Sequence, residues 1–299
     1  MTLSNQVPIV GIMAAGAPGP VENFKTGMRD CGFVEGETVR YELRVAHGDA
    51  AKLPHFADEL VRASVNLMAV VGAVTARAAR SATQDVPIVY AVVVDPVSDD
   101  LATLPGQPLS NMTGVTTFDP NQAPMHLALL RTVNPALARI AILADDGVSD
   151  CLCNANTRAA DEIEVRSHVV RIAGPDPDLA SVFAAMLNEG AEALVVLEHP
   201  INGANARRIA ELSLAHGLPT VVARAQAESG GLFGYGTSLR FAANQMARLA
   251  SSILRGNRPS DLPVETFHRP ELVVNMQTAR GLGLVISQDI LNRAVRVIA

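Results

Sequence analysis

No tryptophan occurs in the 299 residues, and aromatic residues make up only 4% of them. Sugar sites are usually floored by flat aromatic rings, so a sugar is a poor candidate for whatever this chain handles. Cysteine is scarce too. Cys31 stands alone, Cys151 and Cys153 sit in DCLCN, and there is no C-x-x-C pair. That is too few ligands for a zinc site and no disulfide framework. Unpaired thiols are the expectation, with a strained Cys151–Cys153 bridge as the alternative. Basic charge is also in deficit, with 24 Lys+Arg against 30 Asp+Glu, a net charge of −6. A nucleic-acid partner would usually leave a basic face, and an anionic membrane surface a basic stripe. No apolar run reaches the ~18 residues that span a bilayer. The opening MTLSNQVPIV shows neither a charged n-region nor an apolar h-region. As it stands the chain reads as cytosolic, unless an export signal lies outside this sequence.

Catalytic motifs are missing as well. GIMAAGAPG has the Gly-x4-Gly spacing of a phosphate loop, but Ala17 stands where the lysine belongs. No G-x-G-x-x-G follows a strand and opens a helix, and neither H-E-x-x-H nor G-x-S-x-G occurs. The seven histidines are scattered. His199 follows an apolar run and His126 sits in an amphipathic segment, and both read as ordinary core or solvated histidines. No Ser–His–Asp set can be nominated, so neither a catalytic residue nor a cofactor is expected.

What the chain does have is alternation. It is 48% hydrophobic and 18% charged, a globular balance. Apolar, β-rich runs at 8–14, 38–46, 67–72, 87–93 and 112–118 are separated by helical patterns at 21–32, 50–63 and 74–83. A second series comes next: strands at 139–145, 165–172, 193–198, 219–223 and 230–236, with helices at 120–133, 151–163, 177–189 and 201–215. Continuous apolar strands between helices indicate a parallel sheet covered on both faces. Two such series predict two doubly wound α/β lobes, with ligands outside the carboxyl ends of the strands. The helix 239–256 and the tail are too little for a third lobe. They must pack back, so the chain crosses between lobes more than once. We expect one lobe from 1–117 plus 238–263, and another from 118–237 plus 264–299.

Specific segments also carry a resemblance. FKTGMRDCGFVEGETV, LPHFADELVR, VPIVYAVVVDPV, SNMTGVT, RRIAELSLAHGLP, GGLFGYGTS, ILRGNRPSDLPVE and ELVVNMQTARGLGL succeed one another from about residue 24 to the C-terminus. In order and spacing they resemble the ABC-type solute-binding proteins of the tryptophan/tyrosine-transport type, which have the type I periplasmic-binding-protein fold. Two loops depart from that pattern. Gly72-Ala73-Val74-Thr75-Ala76 replaces the usual Gly-Thr-Pro-Ala-Ala, and DDGVSDC replaces a loop that often carries Asn-Pro. The resemblance implies that both loops line the cleft, so the family's ligand does not transfer unchanged.

The stretch VVGAVTARAARSAT passes from strand to helix at a single glycine. The first N–H groups of a helix attract an anion. The resemblance turns this loop toward the ligand, so a ligand carboxylate is expected on Gly72, Val74 and Thr75, with the Thr75 hydroxyl as a further donor. The competing expectation is that Thr75 merely caps its own helix. Ala15 ends the first strand on the same edge. Asp95, in VVVDPV, can accept from an ammonium or hydroxyl group, or cap the next turn. Asp145, Asp146 and Glu198 end strands of the second lobe. Arg224 can grip a carboxylate or form a rim salt bridge, and Tyr235 can stack or donate its hydroxyl. Together with the resemblance, these groups suggest a receptor that closes two lobes on a small carboxylate-bearing solute, such as an amino acid. The resemblance adds an importer permease as partner and the periplasm as location. The alternatives are a ligand-sensing domain of a regulator and an uncharacterised α/β enzyme.

Overall fold

A computed structural model describes residues 7–16, 19–117, 119–267 and 269–299. Ala17 of the glycine-spaced loop, Phe118 of the fifth expected strand and the first six residues lie outside these. In chain order the first series is β1 (Ile9–Ala14), α1 (Gly19–Asp30), β2 (Arg40–Val45), α2 (Leu53–Arg62), β3 (Leu67–Val71), α3 (Ala73–Ala82), β4 (Ile88–Val93) and β5 (Met112–Thr116). The second is α4 (Gln122–Val133), β6 (Arg139–Asp145), α5 (Asp150–Asp161), β7 (Arg166–Ile172), α6 (Leu179–Asn188), β8 (Ala193–Val196), α7 (Pro200–Ala204), α8 (Ala206–Ala215), β9 (Thr220–Val222) and β10 (Phe233–Thr237). Then come α9 (Leu239–Leu254), β11 (Glu265–Thr266), β12 (Pro270–Asn275), α10 (Met276–Gly281), α11 (Gln288–Arg293) and β13 (Arg296–Ile298).

These elements form two compact units, 1–118 with 239–268, and 119–238 with 269–299. The chain therefore passes from one unit to the other three times. Glu265 and Thr266 add an edge strand to β5, pairing with Val115 and Thr116. This places 264–268 in the first unit, a few residues past the return expected at 264.

The first unit is a parallel sheet of order β11-β5-β4-β3-β1-β2. Alternate side chains of each strand feed two cores. Leu67 and Ala69 of β3 pack with Phe24 and Met28 of α1 and the alanine face of α9. Met68 and Val70 pack with Leu60 of α2 and Ala76 and Ala79 of α3. Period-two alternation between two apolar faces is why this strand reads as a continuous apolar run. Gly114 of β5 lies opposite Tyr90 of β4, and a Cβ there would overlap the tyrosine ring. The glycine of SNMTGVT thus makes room for a fully buried aromatic.

The second unit has order β13-β12-β10-β9-β8-β6-β7, parallel except where β12 runs against β10. Ala193 and Val195 of β8 face one core, Leu194 and Val196 the other. The expected helix 201–215 is two helices. Pro200 opens α7, and the chain turns at Asn205, whose side-chain amide donates to the Ile201 carbonyl at 3.0 Å. The tail segment DILNRAVRVIA passes from α11 into β13, which pairs with β12. No disulfide joins Cys31, Cys151 and Cys153, and Cys151 is exposed while Cys153 is buried.

Candidate functional site

The glycine at the β3–α3 junction is required by its conformation. Gly72 has φ 90° and ψ 154°, a region essentially closed to other residues. A Cβ there would meet nothing within 4 Å, so conformation and not crowding selects glycine. Its N–H donates to the Ala91 carbonyl at 2.9 Å and its carbonyl accepts from Ala76 at 3.0 Å. The helix begins in this way with no side-chain cap, and the first N–H groups of any helix have no partner within it. Val74, half-buried, packs on the core beneath. Thr75, at the third helical position, is fully buried, and its hydroxyl has no hydrogen-bond partner among the described residues. It does not cap its own helix. Ala15, just past β1, is buried, and its carbonyl accepts from Gly48 N–H at 2.7 Å.

Next along this edge, β4 departs from regular geometry. Tyr90 pairs with Gly114 and Val93 with Thr116, so three residues of β4 oppose two of β5. Val92 carries the extra residue at φ 61°, a true outlier for a β-branched side chain. The facing changes accordingly. Ala91 and then Val92 pack toward α1 and α9, and Val93 toward α2 and α3. A bulge of this kind re-aims the residues beyond it. Residues 94–98 become one wall of a cavity of about 380 Å³, within the range of small-molecule sites. Val94, Pro96, Val97 and Pro105 make it mainly apolar, with Ser98, Thr116 and Thr266 among its polar lining. Asp95 lies in this wall as the cap of its own turn. One carboxylate oxygen accepts from the N–H groups of Val97 and Ser98, both at 3.1 Å, and the other from the Ser98 hydroxyl at 2.6 Å.

In the second unit the acids at strand ends meet different fates. Asp145 is completely buried. Its carboxylate accepts from Gly147 N–H at 3.1 Å and from Ile201 N–H at 3.0 Å. His199 Nδ1 lies against the same carboxylate without the alignment of a hydrogen bond. Asp145 is thus a clasp between β6 and α7, and that role replaces the ligand contact expected of it. Asp146 is exposed in the turn beyond β6. Arg224 pairs through Nε with Glu271 at 2.9 Å, both half-buried, a structural ion pair between the segment after β9 and β12. Tyr235 is 8% exposed and meets the edge of the His126 ring at 6.0 Å. Burial raises its phenol pKa, and the negative charge of Asp119 adds to the shift; packed in this way it offers no open stacking face.

Glu198 is the exception. It is half-buried just beyond β8, with no hydrogen bond or ion pair among the described residues. Burial alone pushes its carboxyl up to about 7. Two residues of interest gave no signal in the sequence. His126 is buried with neither ring nitrogen hydrogen-bonded in good geometry, and burial lowers its pKa to about 4. Asn202 donates to the carbonyls of Leu143 at 3.2 Å and Leu197 at 2.9 Å, leaving its own buried oxygen unpaired. Among the described residues no three His, Cys, Asp or Glu side chains gather as a metal site, and no helix is long and apolar enough to cross a membrane.

Against known proteins, the family described as ABC transporter substrate binding protein matches residues 15–298. The chain belongs to this family. As a substrate-binding protein it is a receptor for a small solute. A tyrosine-binding protein of Clostridioides difficile is 22% identical over 277 residues, 88% of this chain and 76% of that protein. The fold matches an ABC domain from Streptococcus pneumoniae in complex with L-Trp, with TM-score 0.89 and 21% identity over 98% of this chain and all of that one. It also matches a conserved domain protein from Vibrio cholerae, with TM-score 0.90 and 22% identity over 98% of this chain and all of that one. The two α/β units expected from the sequence are the type I periplasmic-binding-protein fold.

Proposed function

We propose that this receptor holds its solute by a carboxylate seated on the start of α3. The observation that carries the reading is the uncapped helix N-terminus with the buried, unpartnered Thr75 hydroxyl beside it. The N–H groups of Ala73, Val74 and Thr75 and the Thr75 hydroxyl are donors without acceptors, and the helix dipole adds favourable potential. A negative oxygen supplies what all of them lack. The apolar cavity on the same sheet edge suits the non-polar part of such a solute. The tyrosine-binding relative and the L-Trp complex support an amino acid or a closely related acid. The receptor works by the two units closing on the solute, a population shift driven by tighter binding to the closed state. It delivers the solute to an importer permease in the periplasm.

The test is native mass spectrometry of the purified protein, followed by calorimetry with the compound found. A retained small acid whose methyl ester binds at least about tenfold more weakly supports the reading. A retained compound without a carboxylate, or an ester that binds as well as the acid, refutes it.

A further inference from the structure

We infer that the open edge of β2 in the first unit is a self-association surface, on which β2 of a second copy of this chain pairs antiparallel about a two-fold axis at Leu43. The inference is independent of the solute and its seat.

Four strands end the two sheets: β11 and β2 in the first, β13 and β7 in the second. An edge strand offers unpaired N–H and C=O groups, and short length, repelling charge, proline or a bulge normally blunts it. β11 has two residues and β13 three. β7 has seven, but it carries Arg166 and Arg171 and no acid, so it brings only positive charge to a copy of itself. β2 has six residues, no proline and an unbroken register with β1. Its charged residues, Arg40, Glu42 and Arg44, are of both signs.

The backbone fixes which residues face outward. Arg40 N–H donates to the Pro8 carbonyl and Ala46 N–H to the Ala14 carbonyl, both at 2.9 Å. Backbone groups alternate sides along a strand, so those of Glu42 and Arg44 also turn to β1, and those of Tyr41, Leu43 and Val45 turn out. Accordingly the Leu43 carbonyl is open to Arg44 Nη1, from which it accepts at 3.0 Å. The two-fold axis can fall on any residue from Tyr41 to Val45. At Glu42 or Arg44 it sets like charges directly opposite. At Tyr41 it needs the outer side of Val39, whose N–H donates to the Val34 carbonyl and whose carbonyl accepts from Gly36. At Val45 it runs into the turn at His47, φ 52°, and opposes no charges of opposite sign. At Leu43 every outward group finds a partner, Leu43 with Leu43 and Tyr41 with Val45, and Glu42 stands opposite Arg44 on both sides of the axis. Those two are the pairs without backbone bonds, whose side chains come closest. Both charges already stand at this edge. Arg44 Nε is held by Glu59 at 2.6 Å, and its Nη1 lies 3.4 Å from Glu42, which is 47% exposed. Leu43, 39% exposed, is covered by its own counterpart.

The experiment is sedimentation velocity on the full chain from about 1 μM to about 1 mM, because a strand edge is a small interface and the dimer is weak. The wild type should shift toward the dimer as concentration rises. Leu43→Pro removes the outward N–H on the axis and no bond to β1, and Glu42→Arg makes the facing pairs repel. Each should weaken dimerisation at least about tenfold. Arg44→Glu should do the same, and an equimolar mixture of Glu42→Arg with Arg44→Glu should associate where neither does alone, because their charges are complementary across the axis. A wild type that stays monomeric throughout, whatever else the edge takes up, overturns the inference. So does a dimer that survives Leu43→Pro or Glu42→Arg, or a mixture no more associated than its components. Thermal unfolding checks that each variant folds. If Arg44→Glu does not, since Arg44 also holds Glu59, the wild type, Leu43→Pro and Glu42→Arg decide the matter without it.

Discussion

Thr75→Val separates a ligand contact from a structural hydroxyl, because the two roles predict opposite signs. Valine has the shape of threonine and the same χ1 stiffness, so the helix and the packing of the fully buried side chain are conserved. What changes is one hydroxyl with no partner in the free protein. Leaving a buried polar group unsatisfied costs about 1–3 kcal/mol. Its removal should therefore stabilise the solute-free receptor, by about 1 kcal/mol or somewhat more, a rise in Tm of roughly 2–6 °C. The bound state loses a hydrogen bond to a charged group, typically about 1.5–3 kcal/mol, or ten- to a hundredfold in Kd. The helix N–H donors remain, so binding weakens without being abolished. Scanning calorimetry on protein freed of solute by unfolding and refolding gives the first quantity, and titration with the retained solute gives the second. A lowered Tm with unchanged affinity would show that the hydroxyl serves the fold, and the proposed seat of the carboxylate would fall with it.

Other groups give further expectations. His126 is held neutral, with its folded pKa near 4 against an ordinary 6.5, so its contribution is complete above about pH 6.5. It is lost as pH falls toward 4, because only the unfolded state takes up the proton there. The loss is up to about 3 kcal/mol, and His126→Met should flatten that part of a urea-denaturation profile. Asp145→Ala strands the part-buried N–H of Gly147 and the buried N–H of Ile201, and should cost about 2 kcal/mol in chemical denaturation. Arg224→Ala should cost about 1–3 kcal/mol by leaving Glu271 unpaired, with little change in Kd. Arg224→Met combined with Glu271→Met should recover most of that stability.

How much of this was legible in the sequence differs by feature, for physical reasons. The strands and helices were legible because two-faced parallel sheets impose continuous apolar runs, as in LMAVV and ALVV. The β3–α3 turn was legible because a single glycine between such a run and an alanine-rich helix leaves little else for it to do. The bulge at Val92 was not, since VVV is apolar in either facing and only the partner strand reveals the slip. Nor was the break between α7 and α8, which depends on how the Asn205 amide is used.

The strand-end acids show where local reading stops. Asp95, Asp145 and Glu198 all come after apolar runs, and nothing nearby in the sequence ranks them. Their roles are set by which donors the fold brings to them. Asp95 finds its donors two and three residues away, in the turn that Pro96 stiffens. Asp145 finds one 56 residues away, because β8 lies beside β6 and carries α7 onto its end. Arg224 is drawn from solute to scaffold in the same way, by Glu271, 47 residues further on, across the β10–β12 pairing. Glu198 meets no hydrogen bond or ion pair among the described residues. A strand-end acid becomes a candidate binding group when long-range pairing has supplied every neighbouring acid with a donor and left that one without.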